Sequence, residues 1–191
     1  MILKQWKIDS THSSIGFSAR HMVVSTVRGR FTRWSGSFVF AESVPGASSV
    51  EVAIDAGSID TGVAERDAHL RSIDFLEAAR HPLITFRSTM IEPAGTRLLT
   101  VTGDLTIRGV TREVTLDVEY GGRVRDPLGK ERVGFSAHTT VSRKEFGITF
   151  QQALANGSLV VGDKLEIAIE VEAIEQPARV LSPTAAVANV L

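Results

Sequence analysis

Chemistry in this chain would have to come from a small set of polar side chains. The densest group lies in ERDAHLRSIDFLEAARHPLITF, Glu65 to Phe86, where acids, arginines and two histidines alternate with apolar residues. On a helix Glu65 and His69 are i,i+4 neighbours, as are Asp67 and Arg71, and such pairs face each other. Asp67 and His69 are i,i+2 and point apart, which makes them poor joint metal ligands. Neither an H-E-x-x-H motif nor facial-triad spacing is present. The spacing therefore predicts a solvated helix face laced with salt bridges rather than a catalytic or metal-binding one. Arg66 and Asp67 can alternatively brace the segment through backbone hydrogen bonds.

The five histidines, His12, His21, His69, His81 and His138, are scattered, so only the fold can bring them together. His12 and His21 flank the first strong strand pattern and lie near Ser10, Ser13, Ser14 and Ser25. A Ser-His hydrolase would use such a pair, but no G-x-S-x-G elbow accompanies it. Neither a G-x-G-x-x-G after a strand nor a G-x-x-x-x-G-K occurs, which removes the nucleotide loops. The chain has no cysteine, which excludes disulfides, thiolate zinc sites, iron–sulfur clusters and a cysteine nucleophile. RKEFGI, Arg143 to Ile148, joins a polar edge to an apolar strand; it either pairs Arg143 with Glu145 or is simply a strand edge or turn. No catalytic constellation and no metal site is expected from these residues.

The elements that would position these groups are mostly strands. Ile15, Phe17 and Ala19 alternate with polar or small residues, as do Val50, Val52 and Ile54. The same period of two runs through Leu99 to Ile107, Val114 to Tyr120 and Leu165 to Val171. Turn signals separate the runs at Pro45-Gly46, Pro93-Ala94-Gly95, Gly121-Gly122, Asp126-Pro127-Leu128-Gly129 and Asn156-Gly157. Many strands with short turns predict an all-β antiparallel sandwich or barrel. About eight strands are expected, enough to close around one small ligand. One segment breaks the period: Thr61 to about Arg80 suits a helix or two short ones. Thr61 or Gly62 would cap it, and Val63, Leu70, Ile73 and Leu76 would form its apolar stripe. His81-Pro82 ends it. Two echoes, GFSA at Gly16–Ala19 and Gly134–Ala137, and TVRG at Thr26–Gly29 against TIRG at Thr106–Gly109, are too short to establish a duplication.

The chain has 191 residues, 43% of them hydrophobic and 23% charged, ordinary for one globular domain with its own core. A net charge of −1, with scattered basic residues, leaves no footprint for nucleic acid. No apolar run is long enough to span a bilayer. The opening MILKQWKIDSTHSSIGF has no continuous apolar core and no small-residue cleavage site, so a cytoplasmic protein is expected. Residues 176–191 hold Pro177, Pro183 and many alanines, with no charge after Arg179, and are expected to be a flexible tail.

Inward apolar surface is the strongest feature. Phe17, Phe31, Phe38, Phe86 and Phe135 fall on alternating runs, joined by Val52, Ile54, Leu105 and Ile107. In a closed barrel these residues either fill a core or line a tube around a long hydrocarbon. Periodicity alone favours the filled core, because tight packing is the usual interior.

Several segments occur in a familiar order: WKIDSTHSSIGFSARHM (Trp6–Met22), VRGRFTRWSGSFVF (Val27–Phe40), SIDTGVAERDAHLRSIDFL (Ser58–Leu76), HPLITFRST (His81–Thr89), GDLTIRGVTREVTL (Gly103–Leu116) and RKEFGI (Arg143–Ile148). Together they resemble the YceI-like family of polyisoprenoid-binding proteins, over about Trp6 to Ala173. The resemblance implies an extended, lipocalin-like antiparallel barrel over residues 1–175, with a short helical insertion near residues 62–80. It also implies a long isoprenoid chain, such as a quinone tail or prenyl lipid, in an apolar tube whose wall includes the nine residues named above. Arg66-Asp67 and His69-Leu70 match the family's most recognisable signature, to which no catalytic role attaches. Many members are exported, a property not carried over here because no signal is visible.

A non-catalytic protein that binds, and carries or stores, a long-chain isoprenoid lipid is thus expected, with no cofactor beyond that ligand. Two competitors stand beside it: a lipid-acting enzyme with histidines at the barrel mouth, and a packed, stress-related module that binds nothing. A homodimer through an exposed edge or barrel face is open, and nothing specific in the residues argues for it.

Overall fold

A computed structural model describes residues 4–22, 24–152 and 160–176. The expected flexible tail, apart from Gln176, and the Asn156-Gly157 turn lie outside the described residues. The period-two runs form strands: β1 (Lys4–Ile8), β2 (Ser14–His21), β3 (Ser25–Phe31), β4 (Trp34–Phe40), β5 (Ser49–Asp55), β6 (Ile59–Asp60), β7 (Leu83–Pro93), β8 (Leu98–Ile107), β9 (Val110–Arg125), β10 (Glu131–Ser142) and β11 (Val161–Glu175). One helix, α1 (Ala64–Arg71), follows β6.

The strands close a barrel. Ring order is β1-β4-β5-β7-β8-β9-β10-β11, and β11 returns to β1. Every pairing is antiparallel, which suits neighbours joined by short turns. The expected eight strands become eleven segments because three of them are bent. Ala173 to Glu175 of β11 pair with β1, whereas Val161 to Glu170 pair with β2. β1 and β2 are therefore two halves of one strand position, broken at residues 9–13. β4 and β3 lie against β1 and β2 in the same way, as do β5 and β6 against β4 and β3.

The bends give the barrel two distinct ends. The β4–β5, β7–β8 and β9–β10 turns close one end. The other, called the upper end below, carries α1, the β8–β9 turn and the connection that follows β10. At that turn Arg108 and Gly109 both have positive φ (51° and 73°), as a two-residue hairpin of this twist demands. The Arg108 guanidinium donates to Gly147 O (2.9 Å) and lies 3.4 Å from Glu77, tying three upper-end segments together. The TIRG echo runs from the end of β8 into a turn, whereas TVRG lies wholly within β3, so the two copies take different conformations. Both GFSA copies lie in strands and direct a phenylalanine inward.

The helical segment is shorter than expected. α1 ends at Arg71, and residues 72–81 continue as turns, with Glu77 at positive φ. Val63, not Thr61 or Gly62, is its N-cap. The expected stripe fails at two of its four members: Val63 is 45% exposed and Ile73 is 67% exposed. Ile73 lies beyond the helix, where a period of 3.6 no longer sets side-chain direction. Leu70 packs partly on the core, and Phe75 and Leu76 are buried in it.

Candidate functional site

Inward-facing side chains of the upper barrel do not meet at its axis. They leave a cavity of about 370 Å³ with an overwhelmingly apolar wall. Phe17, Val52, Phe86, Leu165, Ile167 and Ile169 all face this space, and each is only partly buried. A filled core would bury all six. A cavity of about 150 Å³ with apolar walls already holds a benzene-sized guest, and ligand pockets start near 300 Å³. Phe17 reaches its position because its cross-strand partner is Gly29; a Cβ there would lie 2.4 Å from Phe17 Cζ.

Of the nine residues expected on the tube wall, Phe17, Phe31, Val52, Ile54, Phe86, Leu105 and Ile107 stand on it. Phe38 and Phe135 do not. They face inward as the alternation requires, but at a lower level, where the cavity stops. Their rings meet edge to face with centroids 5.5 Å apart, and Phe38 also stacks 6.3 Å from Trp6. The same pattern on a strand thus yields wall or floor according to height along the axis.

Polar groups on the cavity wall gather at the upper end: Arg20 and His21 from the end of β2, Arg66 and His69 from α1, Arg143 and Gln152 after β10. The expected Asp67–Arg71 pair is absent. Asp67 is buried, and its carboxylate accepts from Thr61 N (2.9 Å) and Thr61 Oγ1 (2.5 Å). Arg66 donates to Thr61 Oγ1 (2.8 Å) and to Thr61 O (3.0 Å). Adjacent Arg66 and Asp67 thereby clasp the residue after β6 and fix α1 to the barrel. This is the bracing alternative, and it overturns the solvated-face expectation, because chain reversal at residues 61–63 brings Thr61 back over the helix. His69 likewise pairs with Asp74 (2.9 Å) rather than Glu65, and meets the rings of Phe75 and Phe150 edge-on at 5.0 Å.

Arg143 is the unexpected member. It is 2% exposed and does not pair with Glu145. Its guanidinium donates to Ile148 O (2.7 Å), Gly162 O (2.9 Å) and Val161 O (3.3 Å). The 3-10 turn Arg143–Phe146, closed by Gly147 at φ 72°, directs it inward. Burial pulls its pKa down, and Asp163 opposes this. The sequence signal for it is the glycine of RKEFG, four residues after the arginine, which allows the tight turn.

His12 and His21 do not converge. His12 precedes the eight-residue β2 and His21 ends it, and the strand spans about 25 Å at the usual rise. His138 points outward beside Asp117, and His81 lies 3.9 Å from Glu77. His12 belongs to an outer network: it lies 3.0 Å from Asp9, which also accepts from Arg132 (3.1 Å). Arg132 further pairs with Glu172 and with Asp126 (2.8 Å). Asp9, His12 and Glu172 are close enough to share a metal ion. Arg132 already bridges the two carboxylates with its own positive charge.

The hydrogen bond from His12, helped by Thr11 N–H and Arg132 against the cost of burial, holds the Asp9 carboxyl at about 2 instead of 3.8. Ionised Asp9 therefore stabilises the fold fully above about pH 4, and this contribution is lost as pH falls through about 2. Asp9→Asn is expected to be less stable than the native chain at neutral pH, with the gap closing between those two values. Urea titrations across that range measure it.

The barrel-forming part of the chain matches a described family. The YceI-like domain model matches residues 6–173. The chain belongs to the YceI-like family. Among YceI relatives, protein YceI of Salmonella newport is 38% identical over 177 residues, covering 92% of this chain and 89% of that protein. The YceI crystal structure from Campylobacter jejuni superposes with a TM-score of 0.72 at 32% identity, over 83% of this chain and 90% of that one. Two more distant structures share the fold. BcnA of Burkholderia cenocepacia has a TM-score of 0.76 at 23% identity, over 86% of this chain and 98% of its own. A polyisoprenoid binding domain from Saccharophagus degradans has a TM-score of 0.66 at 17% identity, over 90% and 98%. No helix among the described residues of this YceI-like chain is long and apolar enough to cross a membrane.

Proposed function

We propose that this protein binds a polyisoprenoid or similar long-chain amphiphilic lipid in the upper cavity, and carries or stores it without chemical change. The observation that carries this reading is the ring of inward apolar side chains left partly exposed around unfilled space. Membership of the YceI-like family supports it, as does the polyisoprenoid-binding name of a domain with the same fold.

The physics is burial without specific contacts. Each methylene removed from water contributes about 0.8 kcal/mol. Phe17, Phe31, Val52, Ile54, Phe86, Leu105 and Ile107 would hold the chain, and a polar head would stay near Arg66, His69 and His21 at the upper end. A lipid-acting enzyme fits less well. Among the described wall residues the hydroxyl is that of Thr139, and it donates to Thr115 O (2.8 Å) instead of facing a histidine.

The test is to purify the protein without detergent, extract it with organic solvent and analyse the extract by mass spectrometry. A stoichiometric prenyl lipid or quinone is the expected result. An extract that stays empty after incubation with candidate prenyl lipids overturns the proposal.

A further inference from the structure

Beneath the upper cavity the barrel is not solid. A second chamber of about 360 Å³ lies at the opposite end, walled by Trp6, Phe40, Tyr120 and Val133, with charged residues at its rim. One layer of side chains separates the two chambers, and strand periodicity shows how thin that layer is. On β4 the upper cavity is lined by Trp34 and the lower chamber by Phe40, with Gly36, which has no side chain, and Phe38 between them. On β9 Leu116 is above, Val118 between and Tyr120 below. On β10 Val133 lies below Phe135. Residues two apart on a strand share a face and are about 6–7 Å apart.

We propose that this layer, with Phe135 at its centre, sets the length of chain the protein accepts, and that the lower chamber is a reserve extension of the tube for a longer isoprenoid. The inference rests on the lipid-binding reading of the upper cavity. Phe135 is the hub of the layer: its ring lies 5.5 Å from Phe38, 5.1 Å from Phe40 and 5.3 Å from Tyr120. A register shift between Gly134 and Phe135 sets Phe135 opposite Tyr120. Phe135 is partly buried and lines neither chamber directly, so it belongs to the packed layer between them. Removing it joins the apolar upper cavity to a lower chamber walled by Trp6, Phe40, Tyr120 and Val133 and rimmed by Lys4, Glu42, Ser43 and Arg123.

Binding constants for a series of all-trans polyprenyl alcohols of increasing length test this. For the native chain, affinity is expected to climb with each isoprene unit and then level off where the tip meets Phe135. In Phe135→Ala the levelling point moves to longer alcohols, and the longest bind about tenfold tighter than to the native chain. Val171 pairs with Phe135 across the β10–β11 ladder and lines the upper cavity. Val171→Phe therefore raises the floor, and its levelling point moves to shorter alcohols. If Phe135→Ala does not fold, Phe135→Leu and Val171→Phe decide the matter. Folded variants that level off at the native length overturn the floor while leaving lipid binding intact. A native chain that takes up none of the alcohols overturns the lipid-binding reading and the floor with it.

Discussion

Val52→Phe is expected to cost about three orders of magnitude in affinity for a long-chain lipid while leaving the fold almost as stable as before. Val52 lines the upper cavity and is only partly buried there. The added ring occupies roughly the space of one isoprene unit, about five carbons, each contributing about 0.8 kcal/mol when buried. The loss is about 4 kcal/mol, or nearly three factors of ten in Kd. Stability responds differently because the ring enters open space. A melting temperature within about 2–4 °C of native is expected. In a filled core the same change would overpack and cost about 1–3 kcal/mol. Calorimetry and lipid titration on one preparation separate the two cases: a large thermal loss with undiminished binding would show that Val52 faces packed core.

The second large effect is on folding. Arg143→Ala is expected to destabilise the protein by about 3–5 kcal/mol, since the carbonyls of Ile148, Val161 and Gly162 would be left in a buried site without their donor. For a chain of this size that corresponds to a melting temperature lower by about 10 °C or more. Arg143→Lys should recover only part of the loss, because a single ammonium cannot span acceptors that a planar fork reaches together. Guanidinium denaturation of the three proteins measures the series. A native-like midpoint for Arg143→Ala would mean that the turn after β10 holds without its guanidinium. Its backbone bonds from Gly147 N to Lys144 O and from Ile148 N to Arg143 O would then suffice.

The two experiments probe different parts of the molecule. Val52 lies on the wall, where apolar volume is adjustable. Arg143 lies where the chain leaves β10 and must satisfy backbone groups without a neighbouring strand. The wall is thus the part of the barrel that tolerates changes of volume, and the upper rim is the part braced by hydrogen bonds. The Arg66-Asp67 clasp on Thr61 and the Arg108 links to Glu77 and Gly147 serve the same end.

Much of this protein is legible in its residues alone. Alternation along β2, β8, β9 and β11 marks which side chains face inward, because a pleated strand sends successive Cβ atoms to opposite faces whatever surrounds it. Turn residues mark where strands reverse, for the equally local reason that few residues accept positive φ. The ordered motifs pointed to the family and hence to a tube. The tertiary structure decided the rest, through contacts between residues distant in sequence. Phe17 and Phe135 look alike along the chain, yet one is wall and the other floor, because height along the barrel follows from register and from the bend between β1 and β2. Asp67 looks solvated until Thr61 folds back over it. Whether inward residues touch or leave a cavity depends on the barrel's girth, which eight strands determine together and no single strand records.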